Sequence, residues 1–211
     1  TTRKIRIVDG NGNLSLSDAA TPPFGVAVRP KGDGILVADE AGKFTSSIPT
    51  SFVGQPVQVD GAWYAVSVDG MKASAATLDG KGGKISVKAA QWTCTLASKK
   101  YFLTVTGGAD PVAVPADSYR VLSYTLTMPA ATGARGPSIS GSAGSKPLDV
   151  KAGQCMPLPL GSPIEATITA RISGGKAVFS LNQTDPIGAK VSSVLGAGGK
   201  RPPKPSIEVV S

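Results

Sequence analysis

The stretch PVQVDGAWYAVSVDGMKASAATLDG, residues 56–80, decides the fold. Asp-Gly recurs in it at 60–61, 69–70 and 79–80, with one strand's length of alternating sequence between successive pairs. A two-residue hairpin turn drives its central backbone to positive φ, where glycine carries no Cβ penalty, and Asp-Gly is among its preferred pairs. Residues 56–78 therefore read as a β-meander.

The same texture runs outward in both directions. Upstream, residues 4–8 alternate and meet the turn Asp9-Gly10-Asn11-Gly12; 25–28 and 34–37 flank a Lys-Gly-Asp-Gly turn; 44–48 follow Ala41-Gly42. Downstream, 84–87, 91–97, 101–106, 112–114, 118–128, 148–150, 155–160, 164–172, 177–181 and 189–195 read as strands. No helix is expected. The best helical candidate, 187–195, holds Gly188 and three β-branched residues, which disfavour a helix. Short strands at spacings near ten, with turn signals between them, predict an all-β chain of Ig-like β-sandwiches or barrels. Asp79-Gly80-Lys81-Gly82-Gly83 is the best break in the chain. It divides a sandwich or meander domain, 1–82, from a larger sandwich domain, 83–211. The Gly-, Ala-, Ser- and Pro-rich run 129–145 marks a loop or a further break.

Composition narrows the function classes. The chain has 211 residues, 41% of them hydrophobic and only 17% charged, against about a quarter charged in an average domain. That is a folding composition and not a disordered one. The formal charge is +8. The densest basic groups are Lys81, Lys84 and Lys88, then Lys200, Arg201 and Lys204. An excess of this kind attracts acidic glycans, anionic lipid or nucleic acid when it gathers on one element. Here it is dispersed, so scattered solvated lysines are the plainer reading and no nucleic-acid partner is expected. There is no histidine. His-dependent catalytic triads and His-containing zinc sites are excluded, and two cysteines cannot build a Cys₄ site. No cofactor or metal is expected, and no stretch has the apolar length of a membrane span. Residues 1–7 do not read as a signal peptide, which is compatible with a mature or trimmed chain from which an export signal has been removed. The apolar run 206–210 predicts that the natural chain continues past Ser211.

Two motifs resemble a known family. Ile7-Val8-Asp9-Gly10-Asn11-Gly12 leads into Leu16-Ser17-Asp18-Ala19, and Val37-Ala38-Asp39-Glu40-Ala41-Gly42-Lys43-Phe44 runs on to Ile48-Pro49. This resembles the carboxypeptidase-regulatory-like, or prealbumin-like, β-sandwich modules, with a V-x-D-x-x-G turn and a D-x-x-G-x-F-x-x-x-x-P strand. Val112-Ala113-Val114-Pro115-Ala116-Asp117-Ser118-Tyr119-Arg120-Val121 is similar to their V-P-x-G-x-Y-x-V signature, with Asp117 at the usual glycine. The resemblance covers about half the chain. It implies an exported scaffold or accessory module, periplasmic, secreted or at the cell surface, with no active site of its own. It transfers no functional residue.

Several residues invite a site. In 62–68, Tyr64, Val66 and Val68 share one face and form the better core face, which leaves Trp63 toward solvent or a second layer. An open Trp63, or Tyr101, with nearby lysines would stack on a sugar ring. The plainer reading packs Trp63 against another sheet. Trp92, Cys94 and Leu96 share a core face. Cys94 and Cys155 either pair as a disulfide, as an exported protein allows, or remain two buried thiols. Asp9-Gly10-Asn11-Gly12-Asn13 opens like a calcium loop. Leu14 at position six and Ala20 at position twelve break the pattern, and a turn is the reading. Gly198-Gly199-Lys200 lacks the spacing of a phosphate loop, and Gly136-Pro137-Ser138-Ile139-Ser140 lacks the last glycine of a nucleophile elbow. Fourteen carboxylates leave a two-carboxylate glycosidase formally open, and a Ser–Lys dyad likewise. The sequence points instead to a non-catalytic structural or interaction module, with carbohydrate or acidic-glycan binding as the alternative and a protein or glycan at the cell surface as partner.

Overall fold

The computed structural model describes residues 3–20, 30–46, 51–70, 72–78, 82–130 and 136–203. Among them there is no α-helix, only strands and one short 3₁₀ turn at Ala197–Gly199. The chain is all-β, built from several largely antiparallel sheets. The strand read at 25–28, the Asp79-Gly80 turn, the apolar run 206–210 and the basic residues Lys81 and Lys204 lie outside the described residues.

The first half forms two small sheets. β1 (Ile5–Val8), β2 (Gly34–Val37) and β3 (Ser51–Phe52) make one. β4 (Pro56–Val59), β5 (Ala62–Asp69) and β6 (Lys72–Thr77) make the meander. Val59 pairs with Ala62, so Asp60 and Gly61 fill the two-residue turn, at φ +50° and +81°. The next hairpin is set one residue later. Asp69 pairs with Lys72, which puts Gly70 first in that turn. Ile35, Val53, Val57 and Val66 form the core of this half. Arg3 fastens its rim, reaching Asp60 at 2.6 Å and Glu40 at 3.3 Å. Of the strand expected at 44–48, residues 44–46 are irregular. The Phe44 ring lies under the Arg6 guanidinium at 4.3 Å.

The second half sets a three-stranded sheet against a large one. β7 (Gly82–Ser86) lies between β10 (Val112–Pro115), which is antiparallel to it, and β14 (Cys155–Pro157), which is parallel. The large sheet runs β15 (Glu165–Ser173), β16 (Lys176–Thr184), β17 (Lys190–Leu195), β12 (Ser138–Ser142), β11 (Asp117–Thr127), β8 (Gln91–Ala97), β9 (Phe102–Gly107). β13 (Leu148–Val150) pairs with the start of β11. Alternation along β8 and β11 sends Trp92, Cys94 and Leu96, and Tyr119, Val121, Tyr124 and Leu126, inward against Ile85, Val87 and Val114.

The boundary expected between 82 and 83 falls inside β7. The two halves meet across it. Trp63 belongs to the large core, and its indole N–H donates to Ala113 O at 2.6 Å. Gln55 Oε1 accepts from Phe102 N at 2.9 Å, and Phe52 meets Phe102 edge-on at 5.6 Å. Within the run 129–145 the structure places a strand, β12, where a loop or break was expected. Its sequence, Ser138-Ile139-Ser140-Gly141-Ser142, lacks a strand's usual bulk for a packing reason. A Cβ on Gly141 would come within 2.5 Å of the Tyr124 ring. β12 stays small so that the ring can lie across it.

Candidate functional site

Trp63 and Tyr101, singled out far apart in sequence, line one recess of about 300 Å³. Gly61, Leu78, Ala113 and Pro115 complete much of its wall. Trp63 takes the second-layer option: its residue is 7% exposed, and its N–H is already used by Ala113. The open indole face considered for sugar stacking is thus largely covered. Tyr101 is half-buried, and Lys100 Nζ sits 4.8 Å from its ring centroid. The phenol oxygen raises the Lys100 pKa above its usual value, chiefly by hydrogen bonding.

Cys94 and Cys155 are not joined, which corrects the disulfide considered above. Cys94 points into the core of the large sandwich, whereas Cys155 is exposed on β14. The physical reason is the sheet assignment. β14 pairs with β7, on the layer facing β8, and presents Cys155 outward. Burial pushes the Cys94 thiol far up, and the nearby Asp185 carboxylate adds to this, so the thiol is inert.

The loop resembling a calcium site is closed by its own donors. Asp9 accepts from the backbone N–H groups of Leu14 (2.9 Å), Gly12 (2.6 Å) and Asn11 (3.2 Å). Asp18 accepts from the side-chain amides of Asn11 (2.6 Å) and Asn13 (2.7 Å). Fully buried Asp33 ties the loop down through Gly10 N and Asp18 N. These bonds lower the Asp9 pKa, led by Leu14 N–H, and the Asp18 pKa, led by Asn11. Among the described residues, no three His, Cys, Asp or Glu side chains gather as a metal site.

The outer face of the large sheet carries in-register hydroxyls. One row runs Thr106, Thr93, Thr125, Ser140. A shallow depression of about 560 Å³ opens over Thr93, Thr106 and Thr125. It holds no charged side chain among its lining residues.

The feature that sequence reading passed over is the hairpin β15–β16. Every residue of β15 is exposed, and most of β16. The only pairing of β16 with β17 is Thr184 with Lys190. The ribbon therefore extends past the rest of the sheet for most of its nine-residue strands. Register places Ala166, Ile168, Ala170 and Ile172 on one face with Gln183, Leu181, Phe179 and Ala177. Exposures there are 84% at Ile172, 54% at Ile168, 44% at Leu181 and 40% at Phe179. The other face carries Glu165, Thr167, Thr169, Arg171, Asn182 and Ser180. The signal was present in the sequence: an Ala-Ile alternation facing a second alternating run across Gly174-Gly175. It was read as strand and not as an uncovered strand, because alternation marks a face without saying what lies against it.

No family model matches the chain, and neither a curated protein nor a solved structure matches it at a significant level. No helix among the described residues is long and apolar enough to cross a membrane.

Proposed function

We propose that this chain is a non-catalytic structural and interaction module of an exported or cell-surface protein, which works by presenting the apolar face of the β15–β16 ribbon to a protein partner. One observation carries the reading: four large apolar side chains stand uncovered on one face of a projecting ribbon. Contiguous exposed apolar surface of this kind marks interaction sites in soluble proteins. A two-stranded ribbon is also only marginally stable by itself, so a covering partner stabilises it. The absence of histidine supports the non-catalytic part. The Ig-like description of the large sandwich draws support from Tyr119, whose hydroxyl turns back to Pro115 O at 2.8 Å in the manner of a tyrosine corner.

The test compares the native chain with a variant carrying Thr at 168, 172, 179 and 181. At submicromolar concentration the native chain binds an apolar fluorescent dye, and the variant keeps its thermal midpoint but loses most of the dye. Equal dye binding by both sinks the reading, as does any hydrolytic turnover that maps to this chain.

A second reading, carbohydrate or acidic-glycan binding, is favoured by the recess that gathers Trp63 and Tyr101 beside Lys100. A glycan array tests it. Binding that disappears in Tyr101→Ala supports it, and no binding by the native chain ends it.

A further inference from the structure

The partner that best fits the ribbon is a second copy of the same chain. We propose that two copies associate through the apolar faces of their β15–β16 ribbons, stacked face to face about a two-fold axis. This rests on the ribbon being an interaction surface and goes further by naming its occupant.

Three observations bear on self-association. The first is shape. On the apolar face two cross-strand pairs set a large side chain beside a small one, Ala170 beside Phe179 and then Ile172 beside Ala177, while Ile168 and Leu181 are both large. A two-fold stack centred near Ala170 and Phe179 sets the Phe179 ring of each copy over the Ala170 and Ala177 hollow of the other. Such interdigitation of large and small side chains is what packed layers need. An isologous contact also requires one patch to fit itself.

The second is charge. The chain carries +8 overall, which opposes association of like copies. The apolar face itself holds no charged residue, because Glu165, Arg171 and Lys176 all lie on the opposite face. Stacking therefore desolvates no ionic group, and the repulsion between the two bodies is screened by salt.

The third is area. Nine residues at about 3.3 Å by two strands at about 4.8 Å make a face of roughly 300 Å² in projection. Two such faces, with side-chain relief, bury on the order of 1,000 Å², the lower limit of a specific interface. A dimer of this size is weak, with a Kd of tens of micromolar or more in order of magnitude. It converts two uncovered ribbons into a four-stranded, two-layer arrangement, the smallest that shields both faces.

Sedimentation equilibrium on the full chain, from about 1 to about 500 µM, tests the proposal. The average mass should rise from 21.2 kDa toward twice that value across this range. Ile168→Asp and Phe179→Asp should each hold the mass at the monomer value throughout, with an unchanged circular-dichroism spectrum and thermal midpoint. Arg171→Glu, on the opposite face, should dimerise like the native chain. A native mass that stays monomeric at all concentrations overturns the proposal, and so does an Arg171→Glu chain that no longer dimerises. A monomer that instead co-sediments with anionic phospholipid vesicles also overturns it. If dye binding to the native ribbon persists while the mass stays monomeric, the second copy is refuted and the interaction surface is not. If the dye does not bind, the surface itself is refuted.

Discussion

At the scale of single residues, two buried tyrosines on one strand make opposite demands. Tyr119 donates to Pro115 O, and removing that hydroxyl takes this partner from a part-buried carbonyl. Tyr119→Phe should lower unfolding free energy by about 1–3 kcal/mol. The Tyr124 hydroxyl is buried without a well-formed hydrogen bond, beside Asp185. Burial raises its pKa strongly, and the Asp185 carboxylate adds to this. Tyr124→Phe should therefore be neutral or slightly stabilising, within about 0.5 kcal/mol of the native chain. Urea denaturation of the pair decides: no loss in Tyr119→Phe would contradict the first assignment, and a loss in Tyr124→Phe as large as that expected for Tyr119→Phe would contradict the second. The loop at 9–18 adds a dependence on acidity. Asp9 and Asp18 have lowered pKa values, so the stability they contribute is complete above the ordinary carboxylate pKa of about 4 and drains away as pH falls below it. The gap in thermal midpoint between the native chain and Asp9→Asn should close as pH is taken from about 5 to about 2. A gap that stays constant would show that the carboxylate does not hold the loop. Sequence located these residues unevenly. The turn at 9–13 was legible because Asp, Asn and Gly carry their own backbone chemistry. The role of Asp33 was not, because its partners are Gly10 and Asp18, brought near only by the fold.

At the scale of elements, legibility followed bulk. β8 and β11 announced themselves through alternating large side chains. The Asp60-Gly61 turn announced itself through its φ requirement. β12 lies in the run 129–145, which reads as a loop or a further break because it is rich in glycine, alanine, serine and proline. What makes it a strand is the pairing on both sides, with β11 and β17. Gly141 is the point at which this can be tested. A methyl group there meets the Tyr124 ring in the middle of the sheet, and overpacking of this kind costs about 1–3 kcal/mol. Gly141→Ala should lower the thermal midpoint accordingly, and Gly141→Ala combined with Tyr124→Leu should recover much of the loss. No recovery would mean that glycine serves β12 for a reason other than the ring. The projecting ribbon was legible as two strands and a Gly-Gly turn. Its exposure was not, since a face is uncovered only when the rest of the molecule fails to reach it.

At the scale of the whole molecule, Trp63 joins the meander to the large core. Trp63→Ala should cost about 3–5 kcal/mol and shift a shared unfolding transition. An unchanged transition for the large sandwich would show that the indole does not serve its core. The packing of Trp63 against another sheet was legible in the sequence, but which sheet was not, because the better alternation on that strand points the other way, toward Val66. The parallel pairing of β14 with β7 was equally hidden, and it fixes an order of assembly. Lys84 must wait for Cys155, so on a ribosome the β7 edge stays bare while the chain between them emerges. Closing so long a loop is entropically slow. During synthesis the half-built sandwich is therefore open to intruding strands until its last partner arrives.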